Sequence, residues 1–123
     1  MIEAKERGEI MTFDNYQAAA LKTDVFAGKG SIDSHAFLAQ LLGLMGETGE
    51  VAEKFKKIYR DNAGIMSDEQ RIDMKKELGD ILWYLASVSK YLGISLDDVA
   101  TFNIEKLADR QKRNALRGSG DNR

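Results

Sequence analysis

Hydrophobic residues recur at three- and four-residue spacing along most of the chain, which is the periodicity of amphipathic α-helices. The spacing predicts four helices, at about residues 13–23, 34–62, 68–92 and 95–114. The first begins after Thr12 or Asp14, Ser67 and Gln70 have the spacing of a capping box, and Ser95 caps the fourth. No strand pattern occurs, so the sequence predicts an all-α fold. Because the connections are short, neighbouring helices should be antiparallel, as in a small helical bundle.

The apolar faces of these helices are wide for a chain of 123 residues. We expect the core stripes to consist of Leu38, Leu41, Leu42, Met45, Ala52, Phe55 and Tyr59 on the second helix, Leu78, Ile81, Leu82, Leu85 and Leu92 on the third, and Val99, Phe102 and Leu107 on the fourth. The two long helices carry more apolar surface than one chain of this size can cover. The pattern therefore predicts a homodimer or homotetramer that buries the excess.

Composition narrows the class of protein. A chain of 123 residues with 43% apolar and 31% charged residues has room for one globular domain, expected to have a helical core at 12–114 and a mobile tail at 115–123. Pro is absent, which favours helices. Cys is absent and His35 is the only histidine, which excludes disulfides, zinc–thiolate sites and polyhistidine metal sites.

Charge and hydropathy limit the expected cellular location of the protein and the classes of partner that it is expected to bind. The net charge is −2, so duplex nucleic acid is not an expected partner. No apolar run approaches the roughly 18 residues that cross a membrane, and the segment MIEAKERGEI is charged where a secretory signal would be apolar. We therefore expect a cytoplasmic protein without a membrane partner.

Two pairs of acidic residues have a spacing that places both members of a pair on one side of a helix. Glu47 and Glu50 lie three residues apart on the second helix, and Glu77 and Asp80 lie three apart on the third. If these helices are antiparallel, the four carboxylates converge. Two unit charges 4 Å apart repel by about 4 kcal/mol at an effective dielectric of 20, so such a cluster needs protons or cations. Carboxylate oxygens without sulfur or imidazole suit Mg²⁺ or Mn²⁺.

A solvated helix face is the alternative interpretation of these acids. Glu50 with Lys54, and Glu53 with Lys57, have the i,i+4 spacing of ion pairs that each contribute a few tenths of a kcal/mol. On this interpretation the chain is a non-catalytic helical interaction module. Titration with Mg²⁺ or Mn²⁺ distinguishes the two, because a solvated face binds cations only weakly.

The fourth helix carries polar and basic residues along one side. Asn103, Lys106, Arg110 and Arg113 follow each other at spacings of three, four and three. Arg110 has no acidic residue three or four positions away, so we expect its guanidinium to be available for phosphate oxygens. A basic last turn favoured by the helix dipole is the alternative.

Three segments together resemble the MazG-like all-α nucleoside triphosphate pyrophosphohydrolases: GETGEVAE at 46–53, KKELGDILWYL at 75–85 and SLDDVATFNIEKLADR at 95–110. The resemblance covers about residues 12–117. Members of that family use Mg²⁺ to hydrolyse nucleoside triphosphates to the monophosphate and pyrophosphate. The resemblance therefore implies an enzyme that acts on (d)NTPs, with house-cleaning of the nucleotide pool as its expected role.

The resemblance also implies roles for individual residues. It assigns Glu47, Glu50, Glu77 and Asp80 to metal binding, Asn103, Lys106 and Arg110 to the phosphate tail, and Tyr84 to the sugar or base. Lys54 and Lys57 are further candidates for phosphate, because they share the side of the second helix that carries Glu50. Either Glu47 or Glu50 is expected to act as general base toward the water that attacks the α-phosphorus.

Two alternatives stay open within the family. Gly46 stands where one branch has a second Glu, which leaves the number of metal ions undecided. Phosphoribosyl-ATP pyrophosphohydrolase, which shares the acidic helices and the bond cleaved, is the alternative activity.

Glycine recurs at 43, 46 and 49 inside the second helix. Each interior glycine costs a helix roughly 0.5 to 1 kcal/mol relative to alanine. We expect the three to let another helix or a nucleotide approach the backbone beside the acids.

Overall fold

The computed structural model describes residues 10–25 and 31–114 of the chain. Helix α1 spans Phe13–Ala20 and continues as the 3₁₀ helix Leu21–Thr23, α2 spans His35–Asn62, α3 spans Asp68–Tyr91, and α4 spans Leu96–Lys112. These two stretches contain no strand, so the predicted all-α fold is confirmed. The tail predicted at 115–123 lies outside the described residues, and the division into core and tail stays a prediction.

Each α-helix begins at a hydroxyl side chain that accepts a hydrogen bond from a backbone N–H three residues ahead, as the capping pattern predicts. These residues are Thr12, Ser34, Ser67 and Ser95. Ser67 and Gln70 complete the predicted capping box. Helix α2 ends at Ala63 and Gly64, whose φ angles of 51° and 82° place both residues in the left-handed region that terminates helices.

Helices α2 and α3 form an antiparallel hairpin. Near one end of the hairpin the Ser87 hydroxyl donates a hydrogen bond to Oε1 of Gln40, and further along α2 the ammonium of Lys54 contacts Glu77. The residue number rises along α2 as it falls along α3, which is the register of antiparallel neighbours. The hairpin therefore brings the middle of α2 against the middle of α3.

Gln17 holds α1 against the hairpin and against α4. Its side chain is only 8% exposed. Its Nε2 donates hydrogen bonds to the carbonyl oxygens of Ala86 at 3.0 Å and Ile94 at 3.4 Å, and its Oε1 accepts one from the Leu96 N–H at 3.1 Å. One amide side chain therefore connects three helices, with one of its contacts at the first residue of α4.

The predicted apolar stripes are largely exposed in the single chain. Among the described residues the buried apolar side chains are Ala36, Ile58, Met74, Ala86 and Leu96. The stripe residues that are instead exposed are Leu38, Leu42, Met45, Ala52 and Tyr59 on α2, Leu78, Leu85 and Leu92 on α3, and Val99, Phe102 and Leu107 on α4. As members of the chain's own core, these exposed residues are wrong predictions, whereas Leu41, Phe55, Ile81 and Leu82 are half-buried. Periodicity identifies residues that share a face, but it does not tell which face of a two-sided helix meets its neighbour.

The hydropathy of the helices bears on whether the described part of the chain can cross a membrane. No helix within residues 10–25 and 31–114 combines the length and the apolar character that crossing a bilayer requires.

Candidate metal centre

Three carboxylates meet where α2 passes α3. Glu47 of α2 and Glu77 and Asp80 of α3 each offer an oxygen, and the three oxygens lie within 4.8 Å of one another. We call these three residues the acidic cluster. Glu47 and Glu77 are half-buried and Asp80 is exposed, so the cluster is open to solvent on one side. Three of the four predicted metal ligands thus lie together.

Glu50, the fourth predicted ligand, lies outside this group. It is exposed, and its charge contributes to raising the pKa of Glu47. Positions three apart on a helix differ by about 60° in direction, which is enough to turn Glu50 toward solvent while Glu47 faces α3. The structure therefore places Glu50 at the margin of the acidic cluster.

Burial and neighbouring negative charges perturb the pKa of Glu47. Burial is the main cause that raises its pKa above the ordinary carboxylate value, and the charges of Asp80, Glu50 and Glu77 raise it further. A divalent cation would relieve the same repulsion without protonation. The donors are all carboxylate oxygens, which fits a hard ion such as Mg²⁺ or Mn²⁺.

Lys54 brings a positive charge to the acidic cluster. Its Nζ lies 2.6 Å from Oε1 of Glu77, so the ion pair crosses from α2 to α3. The hydrogen bond that Lys54 donates to Glu77 is the main cause that raises the pKa of Lys54. This arrangement corrects the pairing with Glu50 that spacing along α2 suggests, because the side chain reaches the half-buried carboxylate on the neighbouring helix instead.

Lys57 lines a cavity between α2 and α3 that adjoins Lys54. The cavity has a volume of about 290 Å³. Its lining consists of Lys54, Lys57, Ile58, Asp61, Gln70, Asp73 and Met74. Glu53, the partner that spacing suggested for Lys57, is paired with Lys56 at 2.8 Å instead. Lys57 therefore lines the cavity, and its charge also acts on Glu53 and Asp61 of its own helix.

Tyr84 lies one turn beyond the acidic cluster on α3 and packs against Gly43. A Cβ added to Gly43 would overlap the Tyr84 ring, so glycine is what makes room for it. Trp83 meets the same ring edge to face, with the centroids 5.1 Å apart. Added Cβ atoms at Gly46 and Gly49 would have no neighbour within 4 Å. Within the described chain, the close approach expected at all three glycines occurs at Gly43.

Two of the substrate residues predicted on α4 line a cavity whose lining contains no residue of the acidic cluster. Asn103 and Lys106 line a cavity of about 410 Å³ together with Phe102 and other residues near the start of α4. Arg110 is only 4% exposed. This burial corrects the expectation that its guanidinium is available at the surface. Helix α4 packs against α1 and α3.

Tyr16 is a neighbour of the site that no motif indicated. Burial raises the pKa of its phenol, and the charge of Asp80 raises it further. Tyr16 also lines a cavity of about 160 Å³ together with Leu82 and Thr12. Helical periodicity assigns Tyr16 to the apolar side of α1, but the docking of α1 beside Asp80 is a tertiary contact with no local sequence signal.

Known proteins match the part of the chain that contains α2, α3 and α4. The family model for the MazG nucleotide pyrophosphohydrolase domain matches residues 35–114, which contain α2, α3 and α4. "Gene 37 protein" of Mycobacterium phage L5 is 44% identical over 114 residues, which cover 92% of this chain and 100% of the phage protein. No solved structure matches the chain significantly.

Proposed function

Because the chain belongs to the MazG nucleotide pyrophosphohydrolase family, we propose that it is a Mg²⁺-dependent enzyme that hydrolyses nucleoside or deoxynucleoside triphosphates to the monophosphate and pyrophosphate. The observation that carries the proposal is the acidic cluster, in which α2 and α3 contribute carboxylate oxygens within 4.8 Å of one another. A house-cleaning role in the nucleotide pool is part of the same proposal.

The carboxylates divide into two proposed roles. Glu47, Glu77 and Asp80 would hold the ion, since their oxygens already converge. A bound divalent ion would supply Lewis acidity and positive charge for the phosphate oxygens. Glu50 is exposed at the margin of the cluster, which leaves its carboxylate available to accept the proton of the water that attacks the α-phosphorus. Glu47 is the second candidate for this general base.

The substrate is proposed to lie along the α2–α3 seam. Tyr84 stands beyond one end of the acidic cluster and would contact the sugar or base. Lys54 and Lys57 stand toward the other end and would contact phosphate oxygens. Asn103 and Lys106 are proposed contacts for the phosphate tail.

We propose that the chain assembles into a homodimer or homotetramer. The exposed apolar side chains Leu38, Leu42 and Met45 follow one another along α2 at helical spacing, with exposures of 51%, 58% and 70%. Apolar rows of this kind are rare on monomers. A second copy of the chain is the proposed partner for this face of α2.

A substrate panel tests the proposed activity. Common and modified NTPs and dNTPs, with phosphoribosyl-ATP included for the alternative activity, are assayed for pyrophosphate release with Mg²⁺. We expect turnover of several dNTPs that disappears in Glu50→Gln and Asp80→Asn while circular dichroism shows an intact fold. Glu53→Gln is the matched control, because this exposed glutamate is paired with Lys56 outside the cluster. Wild-type turnover in both active-site variants would overturn the assignment.

A further inference from the structure

Lys54 stands between two parts of the proposed site. Its ammonium contacts Glu77 of the acidic cluster at 2.6 Å, and its side chain also lines the cavity of about 290 Å³ between α2 and α3. The Lys54 side chain is 35% exposed and that of Glu77 is 13% exposed, so the pair lies at the edge of the protein and not in its core. A rotation of one flexible side chain is enough to move a positive charge from the cluster to the cavity.

The pairing with Lys54 competes with metal binding. Glu77 is one of three carboxylates whose oxygens converge, and the ammonium occupies one of its oxygens. An ammonium that stays beside a divalent ion repels it, and at a separation near 5 Å this repulsion alone weakens metal binding roughly tenfold even at the dielectric of water. The ion and the ammonium therefore disfavour each other at Glu77.

The adjoining cavity offers the displaced ammonium a suitable destination. Its two aspartates already have cationic neighbours: Asp61 is paired with Arg60 at 2.6 Å, and Asp73 with Lys76 at 3.6 Å. Lys57 lines the same cavity. An anionic group that enters the cavity would therefore meet the ammonium groups of Lys54 and Lys57, while Asp61 and Asp73 have Arg60 and Lys76 as further partners.

We propose that Lys54 is an exchangeable counter-ion: it holds Glu77 while the site contains no metal, leaves when a divalent ion binds, and then neutralises a substrate phosphate in the adjoining cavity. This inference rests on the proposed function. It makes Lys54 a residue that disfavours metal binding by the empty enzyme and favours it when a polyphosphate is present.

Titration of Mn²⁺ into the substrate-free protein by isothermal calorimetry tests the first half of the exchange. Lys54→Met should bind Mn²⁺ roughly tenfold more tightly than wild type, because the competing charge is gone. Lys54→Arg keeps the charge and should resemble wild type. Lys56→Met is the matched control, since Lys56 lies on the same helix and pairs with Glu53 away from the cluster.

Binding of a substrate analogue tests the second half. The probe is ATP with a methylene group in place of the α,β-bridging oxygen, titrated into protein saturated with Mn²⁺. Lys54→Met should bind this probe several-fold more weakly than wild type, because one phosphate contact is lost. A merely structural role for Lys54 would weaken the binding of both Mn²⁺ and the probe, whereas the exchange predicts opposite changes.

Two results overturn the exchange and are distinguishable from each other. If wild type binds Mn²⁺ and Lys54→Met binds it equally or more weakly, Lys54 does not compete for Glu77, and the proposed function is unaffected. If wild type binds Mn²⁺ no better than Glu47→Gln, the acidic cluster is not a metal site, and the proposed function fails together with the exchange.

Discussion

Replacement of Gln17 by leucine should destabilise the fold although the two side chains have similar size. The change removes the acceptor for the Leu96 N–H and the donor for the carbonyl groups of Ala86 and Ile94. Because Gln17 is only 8% exposed, water does not replace these partners freely. The Leu96 N–H suffers most, since it lies in the first turn of α4, where backbone donors have no partner within the helix.

The size of the effect follows from the three hydrogen bonds of Gln17. Each contributes about 0.5 to 1.5 kcal/mol net, and the added apolar group offsets part of the loss, so we expect Gln17→Leu to cost about 1 to 4 kcal/mol. Gln17→Glu keeps the acceptor for Leu96 but directs a carboxylate at the two carbonyl oxygens. We expect this variant to lose roughly 3 to 5 kcal/mol at neutral pH.

The glutamate variant should also have its own pH dependence. Burial and the facing carbonyl groups raise the pKa of the introduced carboxyl in the folded state above the unfolded value of about 4.3. The folded state then binds more protons than the unfolded state. Relative to wild type, the stability of Gln17→Glu should therefore rise as the pH falls through the raised pKa, because a protonated carboxyl can donate to a carbonyl oxygen.

Urea unfolding followed by circular dichroism, at one protein concentration for all variants, measures these changes. Gln111→Leu is the matched control, because Gln111 is exposed on α4 and its replacement should change the free energy of unfolding by less than about 0.5 kcal/mol. Unfolding of Gln17→Leu at the wild-type urea concentration would refute the role of this side chain. A glutamate variant that weakens in parallel with wild type as the pH falls would refute the pH argument.

Three further predictions use other parts of the structure. Gly46→Ala should raise the free energy of unfolding by about 0.5 to 1 kcal/mol. Gly43→Ala should not show this gain, because the added Cβ would displace the Tyr84 ring. Equal stabilisation of both variants in thermal unfolding would contradict the packing of Tyr84 against Gly43. The affinity for Mn²⁺ should fall as the pH decreases through the range above the ordinary carboxylate pKa, because protons compete with the ion for Glu47, whose pKa is raised. Calorimetry at several pH values measures this change. An affinity that does not change with pH would count against the acidic cluster as the metal site. Leu42→Glu should lower the molar mass in sedimentation equilibrium if α2 forms the interface between copies, and an unaltered mass would exclude that face.

Helix boundaries were predictable because they depend on neighbouring residues. A hydroxyl that accepts a hydrogen bond from the N–H three residues ahead is a local feature. The pair Ser67 and Gln70 can therefore be recognised in a window of four residues. The convergence of Glu47 with Glu77 needed one more premise, antiparallel neighbours, which short connections supply.

Packing between helices was not predictable by the same means. Gln40 and Ser87 are among the most deeply buried side chains of the hairpin, although polar residues at those positions look like surface residues in a periodicity analysis. Lys54 has an acid one turn away on its own helix and still pairs with Glu77 across the hairpin. In both cases the partner is distant in sequence, and the spacing within one helix carries no information about it.

The hairpin also bears on the order in which the molecule folds. The helices that carry the acidic cluster are consecutive and are joined by one turn at Ala63 and Gly64, so their contacts close a short loop. The bond between Gln17 and Leu96 instead joins residues 79 positions apart. Contacts of low sequence separation form fastest, so the carboxylates should come together before α1 and α4 dock. An ion that binds only the assembled pair would therefore stabilise the part of the fold whose contacts are shortest in sequence.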